Sequence, residues 1–202
     1  MPLVDAKRAL LGRLFDHAPL FPPASMTLPD ALAEDARAQE SPDAWLLGRF
    51  VVPEGVEIEG RELAVVGGGT ERQGNDLYIE GSSKIRCGGA AIPAVQELAA
   101  FVRGCREAHV VFKATAGLHH AYPTDAGEHG FLNLLAACVF ADEEDALRAR
   151  PGAFELDAES FRWNGRAAGP GELEHVRTHL LHSIGSCSFF EPVGELHELG
   201  IL

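Results

Sequence analysis

Lysine is scarce in this chain. It supplies three of the 17 basic residues, Lys7, Lys84 and Lys113, and arginine supplies the others. General surface charge is therefore an arginine matter. Two of the three lysines stand in apolar, strand-like stretches, where an ammonium without a partner is costly. Basic charge is short as a whole: 30 acidic residues leave a net charge of −13. That balance excludes a nucleic-acid backbone as an expected partner. It leaves room for a small anion at a locally positive site. Cysteine is limited to Cys87, Cys105, Cys138 and Cys187. None forms a Cys-x-x-Cys pair and none has zinc-site spacing with histidine, so free thiols in a reducing compartment are expected. No apolar run approaches the ~20 residues of a membrane span; the longest, Leu132 to Ala141, is half that. The first residues lack a charged-then-apolar leader pattern. A cytoplasmic chain without a membrane partner is the expectation.

With 202 residues, 46% of them hydrophobic, the chain has the composition of one globular domain. Residues 1–44 read as an N-terminal helical segment, 45–150 as an α/β core, and 151–202 as a C-terminal hairpin with helices. Leu3 to Phe15 has helical spacing with Asp5 as its cap, and Thr27 caps a second helix before Pro29. Trp45 to Val52 and His109 to Thr115 are strands. Gly67 to Asn75 reads as a polar loop. Asp76–Glu80 and Ser83–Cys87 are too close for a helix between them, so they form a tight antiparallel hairpin or one long bulged strand. Pro93 to Glu107 and Gly130 to Ala141 are helices, and Asn164-Gly165 marks a hairpin turn. Strand, helix, strand, helix across the centre implies parallel strands with sites at their carboxyl ends.

Lys84 and Arg86 alternate with Ile85 and Cys87, so the two cations share a strand face. Gly88 and Gly89 follow and permit close backbone approach before a helix. An anion fits there, and so does a salt-bridge cluster with Glu80. Lys113 and Thr115 share a face of the next strand. A desolvated Lys113 among cations would have a depressed pKa suited to Schiff-base chemistry; an ion pair with Glu80 is the structural alternative. His119, His120 and His129 are concentrated after this strand and suit acid–base work. With Glu80 they would also suit a divalent metal. Asn133 lies one turn beyond His129 and either orients a substrate group or fixes the loop. Ser186-Cys187-Ser188 lacks the nucleophile-elbow glycines and reads as a packed turn. Gly67-Gly68-Gly69 lacks both the P-loop Lys-Ser/Thr and the Rossmann spacing, and no cofactor is expected.

The segments Lys84-Ile85-Arg86-Cys87-Gly88-Gly89, Phe112-Lys113-Ala114-Thr115-Ala116-Gly117-Leu118-His119-His120, His129-Gly130-Phe131-Leu132-Asn133 and Gly185-Ser186-Cys187-Ser188-Phe189 resemble those of a group of uncharacterised bacterial proteins. At the level of the site, Lys84 and the Lys113-Ala114-Thr115-Ala116-Gly117 strand are also similar to aldolase-type barrels such as deoxyribose-phosphate aldolase. That likeness implies paired lysines at strand ends.

The fold expected is α/β with a mostly parallel sheet, a reduced or incomplete TIM-barrel-like unit with peripheral helices. Exposed sheet edges would then need a cover, which a homodimer supplies. The function expected is that of an enzyme acting on a small anionic carbonyl-containing metabolite, lyase/aldolase- or isomerase-like. Lys113, His119, His120, His129 and Glu80 would carry the chemistry, and Lys84, Arg86, Gly88, Gly89, Thr115 and Asn133 would hold the ligand. The alternatives are a metal-dependent hydrolase or lyase built on Glu80 and the histidines, and a non-catalytic degenerate barrel.

Overall fold

Eight short strands build one curled, mostly parallel sheet in the computed structural model, which describes residues 5–89 and 92–202. In chain order they are β1 (Phe15–His17), β2 (Leu47–Pro53), β3 (Leu63–Gly67), β4 (Thr70–Gln73), β5 (Asp76–Ile79), β6 (Lys84–Arg86) and β7 (Phe112–Thr115). After the small strands β8 (Glu155–Leu156), β9 (Phe161–Trp163) and β10 (Arg166–Ala168) comes the eighth, β11 (Leu181–Ser186). The sheet order is β5-β4-β3-β2-β1-β11-β7-β6, and only β4 runs against its neighbours. The two end strands meet. Residues 80–83 join β5 to β6, Glu80 bridges Lys84, and Gly81 N–H donates to the Lys84 carbonyl at 2.9 Å. The result is a nearly closed, barrel-like α/β sheet.

Around it lie α1 (Ala6–Leu11), α2 (Leu28–Glu40), α3 (Val95–Glu107), α4 (Phe131–Phe140), α5 (Glu143–Arg148), α6 (Pro170–His179) and α7 (Phe190–Glu198). Asp5 and Thr27 accept the N3 backbone N–H groups of α1 and α2, the capping their sequence positions predict. The main apolar core lies outside the sheet, between it and the helices. Phe15, Phe112, Leu98, Leu135 and Ile184 belong to it, and Phe112 meets Phe101 of α3 edge-on. Each such side chain contributes ~1.5–3 kcal/mol by leaving water. A smaller apolar cluster, Ala31, Phe50 and Val52, seats α2. No helix among the described residues is long and apolar enough to cross a membrane.

Several sequence expectations change here. The described part of the first helix runs from Ala6 only to Leu11; residue 3, its expected start, lies outside the described residues. Arg13 takes a left-handed φ of 51° and turns the chain into β1, which sits in the middle of the sheet. The terminal segments are therefore not only helical: β1 and β11 both belong to the barrel-like sheet. Residues 67–75 are not a loop. Gly68 and Gly69, at φ 57° and 78°, make a two-residue turn between β3 and β4. The antiparallel hairpin expected at β5 and β6 is also absent, since both run in the same direction as β3. The barrel-like unit is reduced in helices rather than in strands, because no α-helix separates β2, β3, β4, β5 and β6. The hairpin at Asn164-Gly165 is present and extends to a three-stranded sheet, β10-β9-β8.

Candidate functional site

Alternation along the strands puts polar side chains inside the curled sheet. Asp16 points inward from β1, Glu71 and Gln73 from β4, Lys84 from β6, Lys113 from β7 and Ser183 from β11. All are buried. Lys113 is fully buried and pairs with two carboxylates, Asp16 Oδ2 at 2.6 Å and Glu71. Ser183 Oγ donates to Asp16 Oδ2 at 2.7 Å, and Gln73 Nε2 donates to both carboxylates at 2.8 Å. The Arg49 backbone N–H donates to Asp16 Oδ1 at 2.6 Å. Lys84 Nζ approaches the same Glu71 from the other side, 3.3 Å from Oε2. Two ammonium groups and two carboxylates thus balance one another inside the curled sheet.

Burial alone would raise the Asp16 pKa. The charge of Lys113 and the hydrogen bonds from Lys113, Ser183 and Arg49 outweigh it and hold Asp16 at about 2. Burial likewise pushes Lys113 down, but Asp16 and Glu71 win and its pKa stands above the ordinary lysine value. This corrects the depressed pKa expected from the sequence. The physical reason is the pair of carboxylates contributed by β1 and β4, two elements the sequence reading does not place beside Lys113.

Above this cluster, at the carboxyl ends of β6, β7 and β11, a pocket of about 110 Å³ opens. Glu71, Lys84, Arg86, Lys113, Thr115, His119 and Cys187 supply its polar wall, and Phe21, Pro22, Val51 and Val66 its apolar one. Register explains the grouping: Lys84 is the direct neighbour of Lys113 across β6 and β7, and Arg86 of Thr115. Arg86 is exposed at the rim, and among the described residues no carboxylate is paired with it. Gly88 packs backbone to backbone on Gly117; a Cβ on either would collide with the other. Gly89, at φ 86°, lies under the Arg86 guanidinium. Gly185 leaves room for the Lys113 stem and Thr115.

Five of the residues singled out in sequence therefore converge: Lys84, Arg86, Lys113, Thr115 and His119. The others stand elsewhere. Glu80 is exposed and lies on an outer cleft beside Arg86 and Phe101. The partner expected of Glu80 is supplied by Glu71 instead. His120 belongs to a separate cleft with Tyr122 and Glu195. There Glu195 accepts from its Nδ1 at 2.5 Å and raises its pKa. His129 is buried, with Nε2 2.8 Å from the Pro93 carbonyl. Asn133 is buried and donates to the carbonyls of Ala146 and Ala149, at 2.7 and 2.8 Å, closing the end of α5. Among the described residues no three His, Cys, Asp or Glu side chains gather as a metal site, so Glu80 and the three histidines do not form one cluster.

Asn133→Ala is expected to lower stability by about 1–3 kcal/mol, since buried carbonyls lose their donor. Pocket chemistry should survive in the folded fraction. Urea unfolding beside an activity or ligand-binding assay separates the two.

Asp16, Glu71, Gln73 and Ser183 are the polar residues of the site that sequence reasoning misses. An acidic residue one place from buried Phe15, and alternating Glu71 and Gln73, were the available signals. Comparison with protein-family models, with curated proteins and with solved structures yields no match to this chain.

Proposed function

We propose that this chain is an enzyme acting on a small anionic carbonyl compound, lyase/aldolase- or isomerase-like, on a TIM-barrel-like scaffold. The observation that carries the reading is the unequal state of two register-paired lysines. Lys113 is consumed by Asp16 and Glu71, whereas Lys84 makes one looser contact and lines the pocket. The sequence reading gives the covalent role to Lys113; the pairing favours Lys84.

In this reading Arg86 and the rim hold the anionic group, in line with the strong preference of guanidinium for carboxylate and phosphate. Lys84 Nζ gives a proton to Glu71 Oε2, 3.3 Å away, and the freed amine adds to the carbonyl carbon. The carbinolamine then loses its hydroxyl as water, with His119 on the pocket wall relaying the proton that Glu71 took, and a protonated imine remains. Lys113 keeps a fixed positive charge beside the reacting nitrogen. The carboxyl-end position agrees with where barrel enzymes place their chemistry.

Borohydride trapping tests this. The protein is incubated with small 2-oxoacids and phosphorylated aldehydes, reduced, digested and read by mass spectrometry. A reduced adduct on the Lys84 peptide is the expected result. Absence of any adduct on Lys84 across the panel would overturn the lysine reading and leave the non-catalytic barrel in its place.

A further inference from the structure

The polar wall of the pocket carries a second reactive arrangement. Cys187 follows β11 directly, and His119 stands in the loop after the adjacent strand β7. The Cys187 Sγ lies 3.7 Å from His119 Nε2 and 3.9 Å from Nδ1, against the imidazole between its two nitrogens. Nδ1 also lies 3.2 Å from Glu191 Oε2 and 3.2 Å from Ser186 Oγ. A carboxylate at Nδ1 holds the proton on that nitrogen and leaves Nε2 as the ring atom able to take the thiol proton. Sulfur touches imidazole and imidazole touches carboxylate, the set of groups that activates a thiol. Both Cys187 and His119 line the same cavity as Lys84 and Arg86.

We propose that Cys187 and His119 form a thiol–imidazole pair in this pocket, and that its cations deliver small anionic electrophiles to the sulfur. The inference rests on the anion-binding part of the function proposed above and not on imine formation. His119 removes the thiol proton; sulfur bonds to the electrophilic carbon as the leaving group departs with its electron pair. The groups facing Cys187 set the balance. Burial, Glu191 from α7 and Glu34 from α2 raise the thiol pKa, while the Ala24 backbone N–H favours the thiolate. At rest the sulfur is protonated, so reaction awaits His119 and a docked anion. The other three cysteines are buried, and burial pushes them up to about 11 or 12. Labelling therefore reports Cys187.

The experiment compares two alkylating reagents of similar size, iodoacetate and iodoacetamide, with iodide as the leaving group in both. Rates at Cys187 are followed by peptide mass spectrometry on the native protein at neutral pH. Iodoacetate is expected to react at least about tenfold faster than iodoacetamide, a bias of about 1.4 kcal/mol. In urea the acidic chain should show no such preference. Arg86→Gln should bring the native ratio close to one, and inorganic sulfate should slow iodoacetate selectively. His119→Gln should slow both reagents together, by about 10²-fold. Equal rates at Cys187 in the native protein, or a ratio untouched by Arg86→Gln, would overturn the proposal. Because the readout is a ratio on folded protein, a variant that loses stability does not imitate either result. If Lys84 traps but Cys187 shows no anion preference, the thiol pair alone falls. If Cys187 shows the preference but Lys84 never traps, the thiol pair stands and the imine reading falls.

Discussion

Lys113→Met is expected to destabilise the fold by about 3–5 kcal/mol, because it leaves Asp16 buried without a cation and Glu71 with only its longer contact to Lys84. Urea unfolding at neutral pH measures it. A change below ~1 kcal/mol would show that the ion cluster is not a structural partner set. The pH dependence has a definite sign. Asp16 titrates near 2 in the fold against 3.8 ordinarily, so its contribution is complete above about pH 4 and is lost as pH falls through 2. Lys113 titrates above its ordinary value. Its contribution is complete below about pH 10 and is lost only as pH rises through the folded value. Acid unfolding of the variant should therefore lack the steep limb between pH 4 and 2 that is expected of the natural protein. Asp16→Asn should remove the same limb.

Lys84→Met should give the opposite signature. Glu71 keeps Lys113 and Gln73 as partners when Lys84 is lost, so no carboxylate is orphaned. Stability should change by less than ~1 kcal/mol, or rise, as a polar group leaves a mostly enclosed site. Borohydride trapping should vanish, and turnover of any substrate found should fall by about 10³-fold or more. Lys84→Arg keeps the charge but supplies no amine, and should be equally inactive. A Lys84→Met protein that still turns substrate over would transfer the covalent role elsewhere. The two lysines are direct neighbours in register, so the contrast tests partnership rather than position.

Much of the outer layer is legible in the sequence because its elements have clean periodicity. Helix α3 buries Leu98, Ala99, Val102 and Cys105 on one face, and the apolar run Val110-Val111-Phe112 leads into β7. The lysines stand out for the complementary reason, as cations inside such runs. What cannot be read is the inside of the sheet. In β4 the inward positions are Glu71 and Gln73 and the outward ones Thr70 and Arg72, so polar follows polar and no alternation survives. In β1 three residues are too few for a period, and the inward one is Asp16. The choice of Glu80 as partner follows nearness in sequence. In the fold that nearness is spent on the backbone bridge to Lys84 at the closing seam, with Glu80 itself exposed. Cys187 reads as part of a packed turn because the Gly-Ser-Cys-Ser segment lacks the nucleophile-elbow glycines, while its meaning depends on His119, 68 residues away in sequence.

The seating of β1 between β2 and β11 also has a temporal meaning. Ser183 meets Asp16 across 167 residues of chain, and Phe15 pairs with Ile184. A nascent chain cannot complete this ring until β11 has been made. Until then β1 has one free edge, and Asp16 lacks one of the donors that later surround it. Contacts of such sequence separation slow folding, since loop closure must precede the energy it releases. Closure of the ring should thus wait for β11, and a chain truncated before residue 181 should remain an open sheet with an unsealed, charged interior.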